Sequence, residues 1–387
     1  FKDYQIKMAM MLWGELDIVA LNTGVSDLEA RCRKDIPKEL KSNGTYKAVE
    51  AAIVNFKESI PLITNLKNDA MKERHWDALM EVTGVKFKID PKTLTLQNIF
   101  AMELHRFTDE INEIVVTSVN EAKIETDIKA VESTWATTTL ELGNYVKDGE
   151  SRGFVLRSAE DIKLQLEDNM LNLQTMGASR YVMQFADEVA DWTKKLNHVT
   201  ETLEVWFNVQ RQWIYLESIF IGAEDIRLQL PEEAKKFDAI NKQFKGIMVS
   251  TNSNPNVVSA CFEDSRLETL ASLGERLDKC QKSLTEYLDT KCMAFPRFFF
   301  VSQDELLSVL GSSDPESIQV HMLKLFDNVK YLIFHRNKGS VLGMGSPKFE
   351  NFTFFAPSVV DGPVESWMTL VEDEMKVSLQ QITIESI

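Results

Sequence analysis

Apolar positions along most of the chain recur at steps of three and four, the spacing that lines one face of an α-helix. The clearest stretch, 179–221, contains no Gly or Pro and would form a rod of about 60 Å if unbroken. Similar patterns predict helices over 158–177, from Pro231, over 265–292 and from Pro363. The pattern therefore predicts a mainly α fold, an elongated rod of helical bundles.

The pattern changes after Pro296. The aromatic run 297–301 predicts a short strand, and Ser302 begins a capping box that opens a short helix ending at Gly311. Residues 331–355 alternate between apolar runs and turn signals, which predicts a short β-hairpin near the C-terminal end.

These changes predict three segments. They are N-terminal helical subdomains over 1–150, a central long-helix bundle over 151–250, and a C-terminal subdomain with short strands over 251–387. Polar, turn-forming residues fill 250–256, the strongest internal loop signal. This segment is either a surface loop, the simpler interpretation, or a joint between sub-bundles.

Charge and cysteine content indicate which kinds of partner and which cell compartment to expect. The formal net charge is −16, which argues against binding to nucleic acid or to an anionic membrane surface. No apolar run approaches the length of a membrane span. The 4 cysteines are scattered, so a reducing compartment is expected. Because the first residue is Phe1, we expect the sequence to be part of a longer chain.

The motifs that carry chemistry are missing. The sequence contains no Walker A pattern, no HExxH and no GxSxG, and its 5 histidines lack metal-ligand spacing. Its tryptophans fall mostly on apolar stripes, which favours core packing over ligand stacking. Composition and spacing alone therefore predict a helical scaffold with no catalytic, cofactor-binding or metal-binding residues.

Several segments resemble, in order, the linker region of dynein heavy chains. They are 74–80 (RHWDALM), 206–217 (WFNVQRQWIYLE), 295–302 (FPRFFFVS), 321–328 (HMLKLFDN) and a closing helix over 367–375. The amino-acid sequences of the third and fourth segments resemble axonemal dyneins more than cytoplasmic dyneins. The motif residues expected to serve packing are Trp76, Trp213, Pro296, Arg297, Phe298 and Trp367.

The resemblance implies a mechanical function. In dyneins the linker arches over a ring of AAA modules in the same heavy chain, and its bending and straightening with ATP hydrolysis give the power stroke for microtubule-based ciliary movement. ATP and Mg are then held by the ring, and the chain itself is expected to bind no cofactor and to be no enzyme. The implied partners are the ring, intermediate and light chains, and microtubules, in the axoneme or, alternatively, in cytoplasmic dynein.

A lever needs a hinge, and loop residues are the usual place for one. The stretch 246–255 is the first candidate and 222–231 the second. A helical adaptor or tether of a non-motor complex is the alternative function, and an enzyme with an unrecognised site is a third. The proposed hinge residues are Gly246, Asn252, Asn254 and Pro255.

Overall fold

The computed structural model describes residues 1–89, 93–147, 149–221 and 224–387, without the side chains of Lys38, Glu224 and Asp225. Over these ranges the chain is mainly α, with a small antiparallel sheet near the C-terminal end, which confirms the predicted fold class. The chain divides into two compact units, Phe1–Thr134 with Asp168–Lys194 (unit 1) and Trp135–Glu167 with Lys195–Ile387 (unit 2). The three-segment division at 150 and 250 stays a prediction.

The helices up to residue 177 are α1 Lys2–Ala9, α2 Ile18–Lys34, α3 Gly44–Leu66, α4 Glu73–Thr83, α5 Leu96–Phe100, α6 Thr108–Thr137 and α7 Glu160–Gly177. Those that follow are α8 Ala186–Phe220, α9 Glu224–Gln229, α10 Pro231–Ser253, α11 Val257–Phe262, α12 Arg266–Ala294, α13 Gln303–Leu310, α14 Met322–Leu325 and α15 Val364–Glu385. The strands are β1 Leu142–Lys147, β2 Glu150–Leu156, β3 Tyr331–Phe334, β4 Ser340–Gly345 and β5 Asn351–Val359.

Unit 1 has a hydrophobic core of its own, built mainly from α2, α3 and α4. Two residues of types that ordinarily interrupt helices lie inside them: Gly24 in α2 and Pro61 in α3. A Cβ at Gly24 would lie 2.2 Å from the Tyr4 hydroxyl oxygen, so this glycine permits close packing of a neighbouring side chain. Pro61 faces solvent.

In unit 2, α8, α10 and α12 pack together as a bundle, called here the α8–α10–α12 bundle. The Trp213 and Phe244 rings lie 4.8 Å apart and the Phe220 and Phe237 rings 5.4 Å apart, which joins α8 to α10 along several turns. On α12, a Cβ at Gly274 would lie 3.4 Å from the Val209 side chain of α8. These aromatic and aliphatic side chains follow the helical spacing read from the sequence.

Two antiparallel sheets also belong to unit 2. Where a short β-hairpin was predicted near the C-terminal end, strands β3, β4 and β5 form a three-stranded sheet in that order. The β1–β2 hairpin lies where only helix was predicted. Strand β1 carries the Leu-Gly-Asn-Tyr-Val-Lys sequence, and its Tyr145 ring packs 5.6 Å from the Trp213 ring. Packing on α8 thus stabilises a hairpin that is too short to stand alone.

The aromatic run after Pro296 was wrongly predicted as a strand. Pro296–Phe300 forms a 3-10 helix in which the Phe298 N–H donates to the Phe295 carbonyl, 3.0 Å away. Phe298 is buried, whereas Phe300 is 70% exposed, so the two do not share the face that a strand would give them. Pro296 in the first turn favours the helical start.

The polar run 250–256 is largely helical rather than a loop. Helix α10 continues to Ser253 because its hydroxyl groups bond locally: Thr251 donates to the Ile247 carbonyl at 2.9 Å and Ser253 to the Val249 carbonyl at 3.1 Å. The long helix predicted over 179–221 is α8, which begins at Ala186 after a 3-10 turn at Met183–Phe185. On α15, Leu370 is exposed although Trp367, three residues earlier, is buried.

Candidate functional site

The 74–80 segment forms the first turns of α4, in unit 1, and its charged residues converge on α6. Arg74 Nε lies 2.8 Å and His75 Nε2 3.1 Å from the same oxygen of Glu121, a buried carboxylate. The Lys72 N–H donates to His75 Nδ1 at 3.0 Å, so the proton of the neutral imidazole is on Nε2 and is donated to Glu121. Burial lowers the pKa of His75, although the Glu121 hydrogen bond opposes this shift.

Trp76, the residue after His75, packs against aromatic rings. It is buried, and its ring meets the Trp13 ring edge-on at 5.5 Å and lies 6.4 Å from the Phe87 ring. This position in the core of unit 1 gives Trp76 aromatic neighbours on two sides.

The 206–217 segment lies in the C-terminal half of α8 and faces two elements. Trp213 is fully buried, and its Nε1–H donates to Asn241 on α10 at 3.1 Å. Gln210 faces the hairpin instead: its amide donates to the Leu156 carbonyl at 2.9 Å and accepts from the Leu156 N–H at 2.7 Å. This helix therefore holds both α10 and the end of β2.

The 295–302 segment is joined to α15 through Arg297. Its guanidinium lies 4.4 Å from the centre of the Phe326 ring, donates to the Leu325 carbonyl at 2.8 Å and pairs with Glu372 at 3.1 Å. Burial raises the pKa of Glu372, but the ion pairs with Lys376 and Arg297 outweigh it and lower the net value. Pro296 begins this turn, and Phe298 and Trp367 are buried.

The four hinge residues fall in two different settings, all within unit 2. Gly246 and Asn252 lie inside α10, whereas Asn254 and Pro255 connect α10 to α11. Hinges usually lie at element ends, because bending inside a helix breaks its hydrogen bonds. Gly222, which begins the second candidate stretch, lies outside the described residues.

The adjacent residue, Asn256, has a role that the sequence reading missed. Its amide Nδ2 donates to three carbonyls at the end of α6, those of Trp135, Ala136 and Thr138, at 3.0, 3.2 and 3.3 Å. Its Oδ1 accepts from the Ser259 N–H at 2.9 Å, which caps the start of α11. The only sequence signal was Asn at a helix start, which says nothing about a partner 121 residues away.

A cavity of about 640 Å³ in unit 2 is lined by residues of α9, α12 and α15, including Tyr287, Lys291 and Glu365. Lys291 and Glu365 form an ion pair on its wall. Burial, and then the charge of Glu365, raises the pKa of Tyr287 to about 12, which keeps the phenol protonated. Over the described ranges, no group of three or more His, Cys, Asp or Glu is placed to hold a metal ion.

Comparison with known proteins identifies the family. The family model described as "Dynein heavy chain, N-terminal region 2" matches residues 1–386. The chain belongs to the dynein heavy chain family. The resemblance seen in the motifs is thereby confirmed, and the match covers nearly the whole chain, called here the dynein segment.

Individual relatives of this dynein segment are axonemal, ciliary and flagellar heavy chains. The chain is 51% identical over 376 residues to the dynein-1-alpha heavy chain of the flagellar inner arm I1 complex of Chlamydomonas reinhardtii, covering 97% of this chain and 8% of that protein. It is 45% identical over 379 residues to human dynein axonemal heavy chain 10, with the same coverage. For the ciliary dynein beta chain of Tripneustes gratilla the identity is 36% over 399 residues, 97% of this chain and 9% of that protein.

The dynein segment thus spans less than a tenth of the length of these curated relatives. Their names agree with the axonemal and cytoskeletal location expected from the sequence. In the part of the chain that the structure describes, no helix has the length and apolar content needed to cross a bilayer.

Proposed function

We propose that this segment is the mechanical linker of an axonemal dynein. It bends and straightens over the AAA ring of its heavy chain as the ring hydrolyses ATP, and this motion produces the power stroke for ciliary movement. ATP and Mg are bound by the ring, so the segment performs no catalysis itself. Its partners are the ring, the intermediate and light chains of the complex, and microtubules.

The α8–α10–α12 bundle, in a chain of this family, is the observation that carries the proposal. The Trp213–Phe244 and Phe220–Phe237 ring pairs interlock α8 with α10, and each of these rings is fully buried. A close-packed interior compresses little, so it transmits displacement instead of absorbing it. This is the property that a lever requires.

The test is made in the complete heavy chain, with Phe244→Ala as the variant. Phe244 is buried in α10, and its loss opens a cavity between α8 and α10. We expect microtubule-stimulated ATPase to stay within about two-fold while gliding velocity falls several-fold, because the lever yields. Val249→Ala, on the exposed side of α10, is the control and should change neither quantity.

Two other results would contradict the lever. Unchanged gliding velocity in Phe244→Ala would favour a tether, since a tether needs no stiffness. Binding of Mg-ATP to the 387-residue chain alone would place nucleotide chemistry within the segment. Phe244→Leu, which leaves a smaller cavity, should give an intermediate velocity and guards against simple misfolding of the alanine variant.

The hinge of this lever is proposed at Asn254 and Pro255, the two candidates that lie at an element end. Replacing both by alanine favours one continuous helix from α10 into α11, because alanine has the highest helix propensity. We expect the double variant to reduce the ATP-dependent change in bend angle, measured by electron microscopy of the heavy chain. An unchanged bend angle would dismiss this position.

A further inference from the structure

Asn256 joins two elements through one side chain, the end of α6 and the start of α11, and all the groups that it bonds lie in unit 2. Its amide satisfies carbonyls at the end of α6 and the Ser259 N–H in the first turn of α11, so it acts as the C-cap of one helix and the N-cap of another. Two backbone bonds reinforce the junction: the Val257 N–H donates to Thr138 at 3.1 Å, and the Leu140 N–H donates to Pro255 at 2.7 Å. We call these bonds together the Asn256 clasp.

Helix α11, which the clasp holds, is fixed in turn to the α8–α10–α12 bundle. Val257, Ala260 and Cys261 are buried. His198 of α8 lies 3.3 Å from the Cys261 carbonyl, and Arg266 of α12 donates to the Ala260 carbonyl at 3.2 Å. From α10, the Ser250 hydroxyl donates to Glu263, just beyond α11, at 2.6 Å.

We propose that Asn256 is a positioning residue that couples the end of α6 to the α8–α10–α12 bundle through α11. This inference rests on the proposed lever function, because it states where displacement passes from the bundle to α6. The clasp adjoins the Asn254–Pro255 connection, since the Pro255 carbonyl takes part in it.

Substitutions at Asn256 can distinguish its bonds to the α6 carbonyls from its role as the N-cap of α11. Asn, Asp and Ser are comparably good N-caps, so a residue that only caps α11 tolerates both replacements. Asn256→Ser removes the three bonds from Nδ2, and Asn256→Asp also points a negative charge at the carbonyl end of α6, where negative charge is unfavourable. The clasp therefore predicts increasing loss in the order Asn, Ser, Asp.

Hydrogen exchange in the complete heavy chain measures this loss directly. We expect the amides of Leu140 and Val257 to exchange about 10-fold faster or more in Asn256→Ser, and faster again in Asn256→Asp, with the core of α12 unchanged. Asn197→Ser, the same chemical change on the exposed face of α8, is the control and should leave these amides unchanged. Unchanged exchange at Leu140 and Val257, or an equal rise throughout the chain, would overturn the proposal.

Motor assays on the same variants test the coupling. Asn256→Ser and Asn256→Asp should lower gliding velocity in the order of their exchange rates, with ATPase within about two-fold of the original chain. A local rise in exchange without any fall in velocity would reduce Asn256 to a structural cap and overturn the coupling. Failure of the lever itself is seen separately, as an unchanged velocity in Phe244→Ala.

Discussion

Two glutamine side chains bond to strand backbone as a neighbouring strand would. Gln210 satisfies both the N–H and the C=O of Leu156 at the end of β2, and Gln319 does the same for Leu332 in β3, with both distances 2.8 Å. A primary amide has one donor and one acceptor in the geometry of a peptide group, so it covers two backbone groups at once. Each glutamine thus pairs backbone groups at the edge of a sheet that would otherwise be free to bond another strand.

The first prediction concerns Gln210→Met. The replacement keeps the length of the side chain but leaves the buried N–H and C=O of Leu156 without their partner, which we expect to cost about 2–4 kcal/mol of unfolding free energy. Urea denaturation measures this loss. Gln281→Met, on the exposed face of α12, should change stability by less than about 0.5 kcal/mol, and an equal cost at both positions would contradict this role of Gln210.

The second prediction concerns pH and His75. Burial, helped by the charges of Arg74 and Lys72, lowers the pKa of His75 below its ordinary 6.5 although Glu121 acts in the opposite direction. The folded chain therefore holds this imidazole neutral more strongly than the unfolded chain does. Its contribution to stability is therefore complete above the ordinary value and is lost as pH falls below about 6.5. Protonation of Nδ1 would also remove the acceptor for the Lys72 N–H.

His75→Asn provides the comparison. An asparagine three residues after the N-cap can accept a hydrogen bond from the N-cap N–H without titrating, as Asn98 does from the Thr95 N–H at 3.1 Å. Urea midpoints at about pH 7.5 and pH 5.5 should differ more for the original chain than for the variant. If the two chains lose stability equally on acidification, His75 does not contribute to the pH dependence.

At the scale of single helices, the same glycine-to-alanine substitution should change the free energy of unfolding in opposite directions at two positions. Gly246 lies inside α10 with open space where a Cβ would lie, so Gly246→Ala should raise unfolding free energy by about 0.5–1 kcal/mol. Gly84 ends α4 with φ +72°, a left-handed conformation, so Gly84→Ala should lower it by about 1–2 kcal/mol.

Thermal and urea unfolding of both alanine variants check these signs. Replacing glycine by alanine within a regular helix is ordinarily stabilising, because alanine has the higher helix propensity. A loss of stability in Gly246→Ala would therefore show that α10 needs the freedom of glycine at this point. That result would favour Gly246 over Asn254 and Pro255 as the hinge.

Helical elements were predictable because their signal is local. The stripe Phe237, Ile240, Phe244 of α10 is buried as its spacing indicated, and Ser302 caps α13 with Glu305 as predicted. Residues with strong turn preference were less reliable guides, since Thr251 and Ser253 continue α10 by bonding to its own carbonyls. Whether a hydroxyl bonds to its own helix or ends it depends on neighbours that the local sequence does not specify.

At the scale of the whole molecule, the division into two units predicts separable responses to core mutations. Leu79 of α4 and Leu277 of α12 are both fully buried, one in each unit. Leu79→Ala and Leu277→Ala should each cost about 2–5 kcal/mol through lost burial and a cavity. Hydrogen exchange should rise mainly in the unit that carries the substitution, and an equal rise in both units for either variant would contradict separate cores.

The mainly α class, the presence of strands near the C-terminal end and the dynein family could be read from the chain, because periodicity, turn residues and motifs are properties of neighbouring residues. The β1–β2 hairpin and the roles of Gln210 and Asn256 became visible only in the folded structure. Asn256 reaches carbonyls 121 residues away, and Gln210 completes a strand 54 residues away. Their partners are chosen by the packing of helices brought together from distant parts of the chain, and no local pattern records that choice.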